Sequence, residues 1–270
     1  MPTTYTHYRF GQQVLRQLPI ELHARIDAHH DLFNLGVHGP DILFYYHPLT
    51  TNPVNRVGHS MHLLSGRSVF RRLLALDDGS DTGFAYLAGF LCHFVLDSSC
   101  HGLIGEMEAQ GLSHTLQETQ LDRSFLLEDG LDPIRQDLTA HIHPSGRDIR
   151  TIARFFPQVT EGQVAQALKG MQFYPRLLSA KNQPKRKLLR VGCDLIGARE
   201  TFGYMVMQEG EVSACRSTVE RLRTLYEQAV PLAAALIAAL PDLHDSRYDY
   251  DFEGILHPQE EGVNRETDEA

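Results

Sequence analysis

The amino-acid sequence predicts an all-α protein built as a single multi-helix bundle. Apolar residues recur at three- and four-residue steps through most of the chain, which is the period of amphipathic helices. Strand-like alternation and Asn-Gly hairpin signals are absent, and no internal repeat divides the sequence. The 270 residues suffice for one large domain. The periodicity predicts about eight helices, over residues 9–18, 55–76, 82–104, 113–128, 147–156, 161–180, 185–207 and 212–240.

Three stretches break this helical pattern. Residues 34–53 and 129–146 are rich in Gly and Pro and are expected to form loops. The basic stretch 182–187 is expected to be a solvated turn between helices. Residues 258–270 are acidic and polar, which predicts a disordered tail after one helical domain at residues 1–257.

The overall charge argues against several classes of partner. The formal net charge is -9 and the pI is about 5.9, so the chain as a whole should not attract nucleic acid or anionic membranes. A local cationic site remains compatible with this balance. The sequence shows no visible signal peptide and no uninterrupted apolar run that would span a membrane. A cytoplasmic location without stable membrane insertion is therefore expected, with its four cysteines as reduced thiols.

The apolar segment 89–101 carries three groups that are costly to bury. His93, Asp97 and His101 lie four residues apart, so they should share one face of a helix. Burying such groups in apolar surroundings is unfavourable unless they are paired or bind a metal. One His-x3-Asp pair alone would be weak evidence, because a lone histidine on an apolar face is more often a core residue.

A second set of groups repeats the spacing downstream. His114 and Glu118 are again four residues apart, and Asp122 continues the row. Imidazole and carboxylate ligands without thiolates suit zinc in a catalytic rather than a structural site. The two sets together predict a metal site with more than one ion.

These motifs, in this order, resemble those of the bacterial zinc-dependent phospholipases C, which share an all-helical fold and a three-zinc site with the single-strand-specific nucleases. The resemblance covers roughly the first half of the chain. The first motif is an early Thr-His, and the second is an Asp in a Gly-Pro-Asp loop. A His on a helix follows, and the two sets of residues described above complete the pattern. The residues that carry it before position 93 are His7, Asp41 and either His59 or His62.

The resemblance implies a division of these residues among the ions. His93, Asp97 and a histidine of the 59/62 pair would hold one zinc, and we favour His62 because a helical run continues after it. Asp41 would act near the metal-bound water as a general base or an orienting carboxylate. A second zinc would be held by His101, His114 and Glu118, while Asp97 would bridge to a third zinc bound by His7.

The N-terminus bears on the third ion. In the secreted relatives, the amino group of a mature N-terminal Trp also binds that zinc, but this chain contains no Trp. Met1 precedes the small residue Pro2, so removal of Met1 would place the Pro2 amine five residues before His7. The alternative is a two-zinc site. We therefore expect two or three zinc ions.

The function implied by the resemblance is hydrolysis of a phosphodiester by a zinc-bound hydroxide, with a phospholipid or another phosphodiester as substrate. A nuclease or nucleotide phosphodiesterase on the same fold is one alternative, although the acidic charge disfavours long polynucleotides. A non-catalytic zinc-binding protein is another.

Several residues near these motifs have open roles. The aromatic residues Phe44, Tyr45 and Tyr46 could bind a choline-type head group, stack on a base or pack the loop onto the bundle. His38 and His47 flank Asp41 and could face the substrate, although a loop histidine without a catalytic role is the more common case. The remaining histidines are expected on the solvated surface, namely His23, His29, His30, His141, His143, His244 and His257.

Overall fold

The computed structural model describes residues 4–257, and it confirms the all-α prediction. Within these residues every regular element is helical, apart from one isolated antiparallel bridge between Tyr250 and Leu256. Three short 3-10 helices lie at Gly39–Tyr45, Ser213–Cys215 and Ser246–Asp249, and a π-helical turn lies at Arg199–Gly203. The α-helices are α1 (Thr4–Leu15), α2 (Ile20–Asp27), α3 (His30–Gly36), α4 (Pro53–His62), α5 (Gly66–Leu76), α6 (Asp81–Ala109), α7 (His114–Glu128), α8 (Gly146–Arg154), α9 (Glu161–Leu178), α10 (Gln183–Leu195) and α11 (Arg216–Ala239).

Helix α6 forms the centre of the bundle. By length and composition it could cross a membrane, but 83% of its apolar window is buried inside the protein, as in the core helix of a soluble fold. Helix α3 packs against it at two glycines, where a Cβ added at Gly36 would lie 2.4 Å from the Tyr86 carbonyl oxygen. A Cβ at Gly89 would lie 2.3 Å from the Phe33 carbonyl oxygen. The glycines therefore allow the two backbones to approach closely.

One hydrophobic core extends from Tyr5 at the start of the described residues to Phe252 near their end. A small separate cluster contains Leu178, Ala180 and Val206. Residues 258–270 lie outside the described residues, so the acidic tail stays a prediction.

The structure corrects several predicted helix boundaries. The predicted helix 55–76 is two helices, because the Ser65 side chain accepts a hydrogen bond from the Ser68 amide and starts α5 anew. The predicted helix 185–207 ends at Leu195, and Gly197 follows with a positive φ of 68°. Helices α2 and α3 were not predicted, and the expected loop 34–53 contains the 3-10 helix Gly39–Tyr45.

Candidate metal centre

Eight polar side chains from five elements converge in the interior of the bundle, as the sequence predicted. Helix α6 contributes three of them from its buried middle turns, and the last residue of α4 contributes another. Most of them line a cavity of about 280 Å³ that opens to solvent. The eight are His7, Asp41, His62, His93, Asp97, His101, His114 and Glu118.

The first group of potential ligands surrounds Asp97. Its Oδ1 lies 3.2 Å from His7 Nε2, and its Oδ2 lies 3.0 Å from His93 Nε2. The two imidazoles stack, with ring centroids 4.5 Å apart. Residue types, burial and spacing would let these three side chains hold one metal ion.

The second group shares His93 with the first. Asp41 Oδ1 lies 3.2 Å from His62 Nε2 and 3.9 Å from His93 Nε2. His62 Nδ1 lies 2.9 Å from the Gly58 carbonyl oxygen, and a carbonyl can only accept. This contact places the proton on Nδ1, so the Nε2 lone pair faces the cluster. His59 belongs to none of the three groups and lies exposed at the rim.

The third group lies where α6 and α7 meet. Glu118 Oε1 is 3.6 Å from His101 Nε2 and 3.4 Å from His114 Nε2. His101 Nε2 is also 3.7 Å from Asp97 Oδ1, which connects this group to the first. Asp97 thus lies among the imidazoles of all three groups.

Several of these distances are longer than a hydrogen bond and fit side chains that share a metal ion. Two ligands of a tetrahedral zinc, each at about 2.0–2.1 Å, lie about 3.3 Å from one another. The separations between imidazole nitrogens and carboxylate oxygens within the three groups run from 3.0 to 3.9 Å. His93 is fully buried, and its Nδ1 has no hydrogen-bond partner. Its Nε2 lies 3.0 Å from Asp97 Oδ2 but without hydrogen-bond geometry. A buried imidazole that makes no hydrogen bond is costly, and coordination of a metal would remove that cost.

Gly39 allows the 3-10 helix that carries Asp41 to lie against His93. Its φ is +48°, and an added Cβ would lie 2.4 Å from Cδ2 of the His93 ring. Only glycine permits both this conformation and this approach. The loop therefore carries Asp41 directly over α6.

The carboxylates and imidazoles of the cluster shift the pKa values of one another. Burial opposes ionisation of Asp97, but the surrounding His93, His101 and His7 hold its pKa well below the usual range. Burial likewise opposes a charge on His101, but Asp97 and Glu118 raise its pKa to about 10. Burial lowers the pKa of His93. In the metal-free protein the His101 imidazole is therefore expected to be protonated at neutral pH.

Asp122 belongs to none of the ligand groups, but it holds the start of α1 in place. Its Oδ1 accepts hydrogen bonds from the Thr6 amide at 2.8 Å and the Thr6 hydroxyl at 2.6 Å. It therefore caps the first turn of the helix that presents His7. Burial raises the pKa of Asp122 to about 7, against the hydrogen bonds from Thr6.

Replacing Asp122 by alanine should destabilise the protein by about 2 kcal/mol, because it leaves buried donors at the start of α1 unpaired. Denaturant unfolding with and without zinc measures the loss. Asp122→Asn keeps one acceptor oxygen and should cost less. An alanine variant as stable as the parent would show that α1 does not depend on this anchor.

Two further contacts were not foreseen from the sequence. His141 was expected on the solvated surface, but it is largely enclosed, and its Nε2 lies 2.7 Å from Nε2 of the buried His38. Burial lowers the pKa of both rings, to about 3 for His141, so one neutral imidazole donates to the other. His38 therefore packs behind the site, and the exposed His47 contacts Gln166, so neither lines the metal cavity.

The C-terminal part of the described chain also reaches the centre. Phe252 is fully buried against the His62 and His93 rings, with centroids 5.0 and 5.8 Å apart. Glu253 lines the cavity, and its Oε2 lies 3.6 Å from His101 Nδ1. No sequence motif connects these residues to the centre, because they follow His101 by more than 150 positions in the chain.

Of the three aromatic residues after Asp41, only Phe44 lines the cavity. Its ring stacks on His59 and His62 at 4.3 and 5.3 Å between centroids. Tyr45 is buried in the core, and Tyr46 packs edge-on against His47.

A comparison with protein families agrees with this geometry. The family model for zinc-dependent phospholipase C matches residues 6–170, which is more than half of the 270-residue chain. The chain belongs to the zinc-dependent phospholipase C family. Searches of curated proteins and of solved structures found no significant match.

Membership of the zinc-dependent phospholipase C family implies a zinc-dependent hydrolase that acts on phospholipid. All eight converging side chains lie within the matched residues, whereas Phe252 and Glu253 lie beyond them. Pro2, the further ligand that we predicted for a third zinc, lies outside the residues described by the structure. Its role stays a prediction.

Zinc loading of the metal-free protein at about pH 7 should release at least about one proton. The pKa of His101 is raised to about 10, so its imidazole carries a proton that must leave before Nε2 can bind an ion. Calorimetric titrations in buffers of different ionisation enthalpy count the protons released. A binding heat that does not depend on the buffer would contradict a role for His101 as a ligand.

Proposed function

We propose that this protein is a phosphodiester hydrolase of the phospholipase C type that holds two or three zinc ions. The observation that supports it best is the convergence of three potential ligand groups on one cavity open to solvent. A structural zinc site is closed and needs four protein ligands, whereas a catalytic site keeps a position open. The number of groups and the cavity therefore favour catalysis over a purely structural role.

The residues divide into ligands and orienting groups. We assign His93 and His62 to one ion, His7 with Asp97 to another, and His101, His114 and Glu118 to a third position. Bound divalent ions would polarise the phosphoryl oxygens and lower the pKa of a coordinated water.

Asp41 has two possible roles in this arrangement. Its Oδ1 lies within ligand distance of His62 and His93 and faces the cavity, so it could complete the ion site of these two histidines. In its second role, Asp41 would orient or deprotonate the attacking water. This assignment extends the general-base role expected from the sequence.

The rim of the cavity favours a cationic head group. Glu253, whose side chain is 40% exposed, supplies a carboxylate to the cavity wall, and the buried Phe44 lines the cavity behind His59. A partly exposed carboxylate in the wall of the cavity would attract a quaternary or primary ammonium. We therefore propose a phospholipid with an amine-containing head group as the substrate.

Parallel assays test this proposal. The zinc-loaded protein is incubated with phosphatidylcholine dispersed in detergent and with single-stranded DNA. We expect release of phosphorylcholine and diacylglycerol from the lipid, and no release after removal of zinc by a chelator. Cleavage of DNA alone would replace the proposal by the nuclease alternative. No cleavage of either substrate by fully loaded protein would contradict phosphodiester hydrolysis.

A further inference from the structure

Helix α10 has an outer face that no described part of the protein covers. Its inner face packs through Leu189 against the small cluster that contains Leu178 and Val206. On the opposite side, Leu188, Val191 and Leu195 are 72%, 45% and 82% exposed. They follow the spacing i, i+3, i+7, so they form one apolar stripe along the helix, which we call the α10 stripe.

The α10 stripe lies in the most cationic part of the chain. Residues 181–195 contain five Lys or Arg side chains and one acidic residue, Asp194, which pairs with Arg199, although the whole chain has a net charge of -9. Arg186 is paired inward with Glu209, and Arg190 donates to Gln208. Lys185 donates to the Ser179 carbonyl oxygen at 2.6 Å, which leaves the exposed Lys181 and Lys187 as the cations directed to solvent.

The lysines lie beside the α10 stripe rather than behind it. At 100° per residue, Lys185 and Lys187 flank Leu188 on its two sides. Lys187 is exposed, as is Lys181 just before the helix. Long lysine side chains beside exposed leucines can lay their methylene groups on an apolar surface while their ammonium groups stay at a polar boundary.

We propose that α10 docks the protein on an anionic phospholipid bilayer, with the helix axis in the plane of the surface. The α10 stripe enters the boundary between head groups and acyl chains, and the flanking lysines contact anionic head groups. A second copy in a two-fold contact would bring the same lysines against one another, so this combination of apolar stripe and positive charge fits an anionic bilayer better. The helix lies beyond residues 6–170, so the family match does not account for it.

Binding to vesicles tests the docking surface. The zinc-loaded protein is sedimented with vesicles of phosphatidylcholine, with and without phosphatidylserine. Leu188→Glu with Leu195→Glu should lower the partition onto phosphatidylserine vesicles at least about tenfold, since two apolar side chains no longer leave water. The matched control is Ile20→Glu with Leu49→Glu, two side chains that are 84% and 71% exposed elsewhere. It should bind like the parent.

The lysines are tested by charge removal and salt. Lys181→Ala with Lys187→Ala should weaken binding to phosphatidylserine vesicles by about fivefold per lysine. Added salt should reduce the difference. Lys169→Ala, at an exposed position on α9, serves as the control.

The outcomes separate this inference from the proposed function. Hydrolysis of a soluble phosphodiester should be unchanged in the Leu188/Leu195 variant. A protein that binds vesicles through the α10 stripe but hydrolyses nothing would support the docking surface and contradict the proposed function. Unchanged vesicle binding in that variant would overturn the inference. So would no binding by the parent, or a shift from oligomer to monomer in the variant without any vesicle binding.

Discussion

Replacement of Asp97 by asparagine is expected to lower phosphodiester hydrolysis by at least about 100-fold, the upper range for loss of a group that merely supports a metal ligand. Asp97 directs one oxygen to His7 and the other to His93 at 3.2 and 3.0 Å. The amide has no negative charge and offers only one good acceptor atom, so it cannot serve two ions equally. Loss of this carboxylate should therefore weaken two ion positions at once.

Metal content and turnover of the Asp97→Asn variant are measured together. We expect fewer zinc equivalents per chain and almost no activity, with the helical circular dichroism retained. Asp132→Asn, at a half-exposed position that belongs to none of the ligand groups, is the control. A variant that keeps full zinc content and near-normal turnover would contradict the bridging role.

Replacement of Glu118 by glutamine should remove about one zinc equivalent and lower activity at least about tenfold. Glu118 is buried and is the only carboxylate in the group with His101 and His114. The neutral amide is a poorer ligand for a dication than the carboxylate. The ions near His93 should stay bound, because Asp97 and Asp41 serve them.

Mass spectrometry under native conditions counts the ions that remain in the Glu118→Gln variant. Glu161→Gln, at an exposed position in the first turn of α9, provides the matched control. If zinc content does not change, Glu118 supports the centre without binding a metal.

The part of the centre on α6 and α7 could be predicted from local spacing alone. His93, Asp97 and His101 recur every fourth residue of one helix, so their common face follows from helix geometry. His7 and Asp41 could not be placed in that way, because their approach to α6 depends on long-range packing. Only the resemblance to a family linked them to the centre before the structure was known.

Other features had no local signal. The His38–His141 contact joins residues 103 positions apart, and His141 lies in a stretch whose polarity suggests a solvated loop. The basic stretch 182–187 was expected to be a turn, but Asn182 caps a helix that begins at Gln183. The α10 stripe can be recognised in the sequence only once the boundaries of this helix are known.

A single titration tests the central claim that the converging side chains form a catalytic metal centre. Metal-free protein is titrated with zinc, and hydrolysis of a soluble phosphodiester is measured against the number of ions bound per chain. We predict that activity appears only as a second ion binds, because the ligand groups joined by Asp97 act together. One tightly bound zinc with no activity at any further occupancy would contradict the claim.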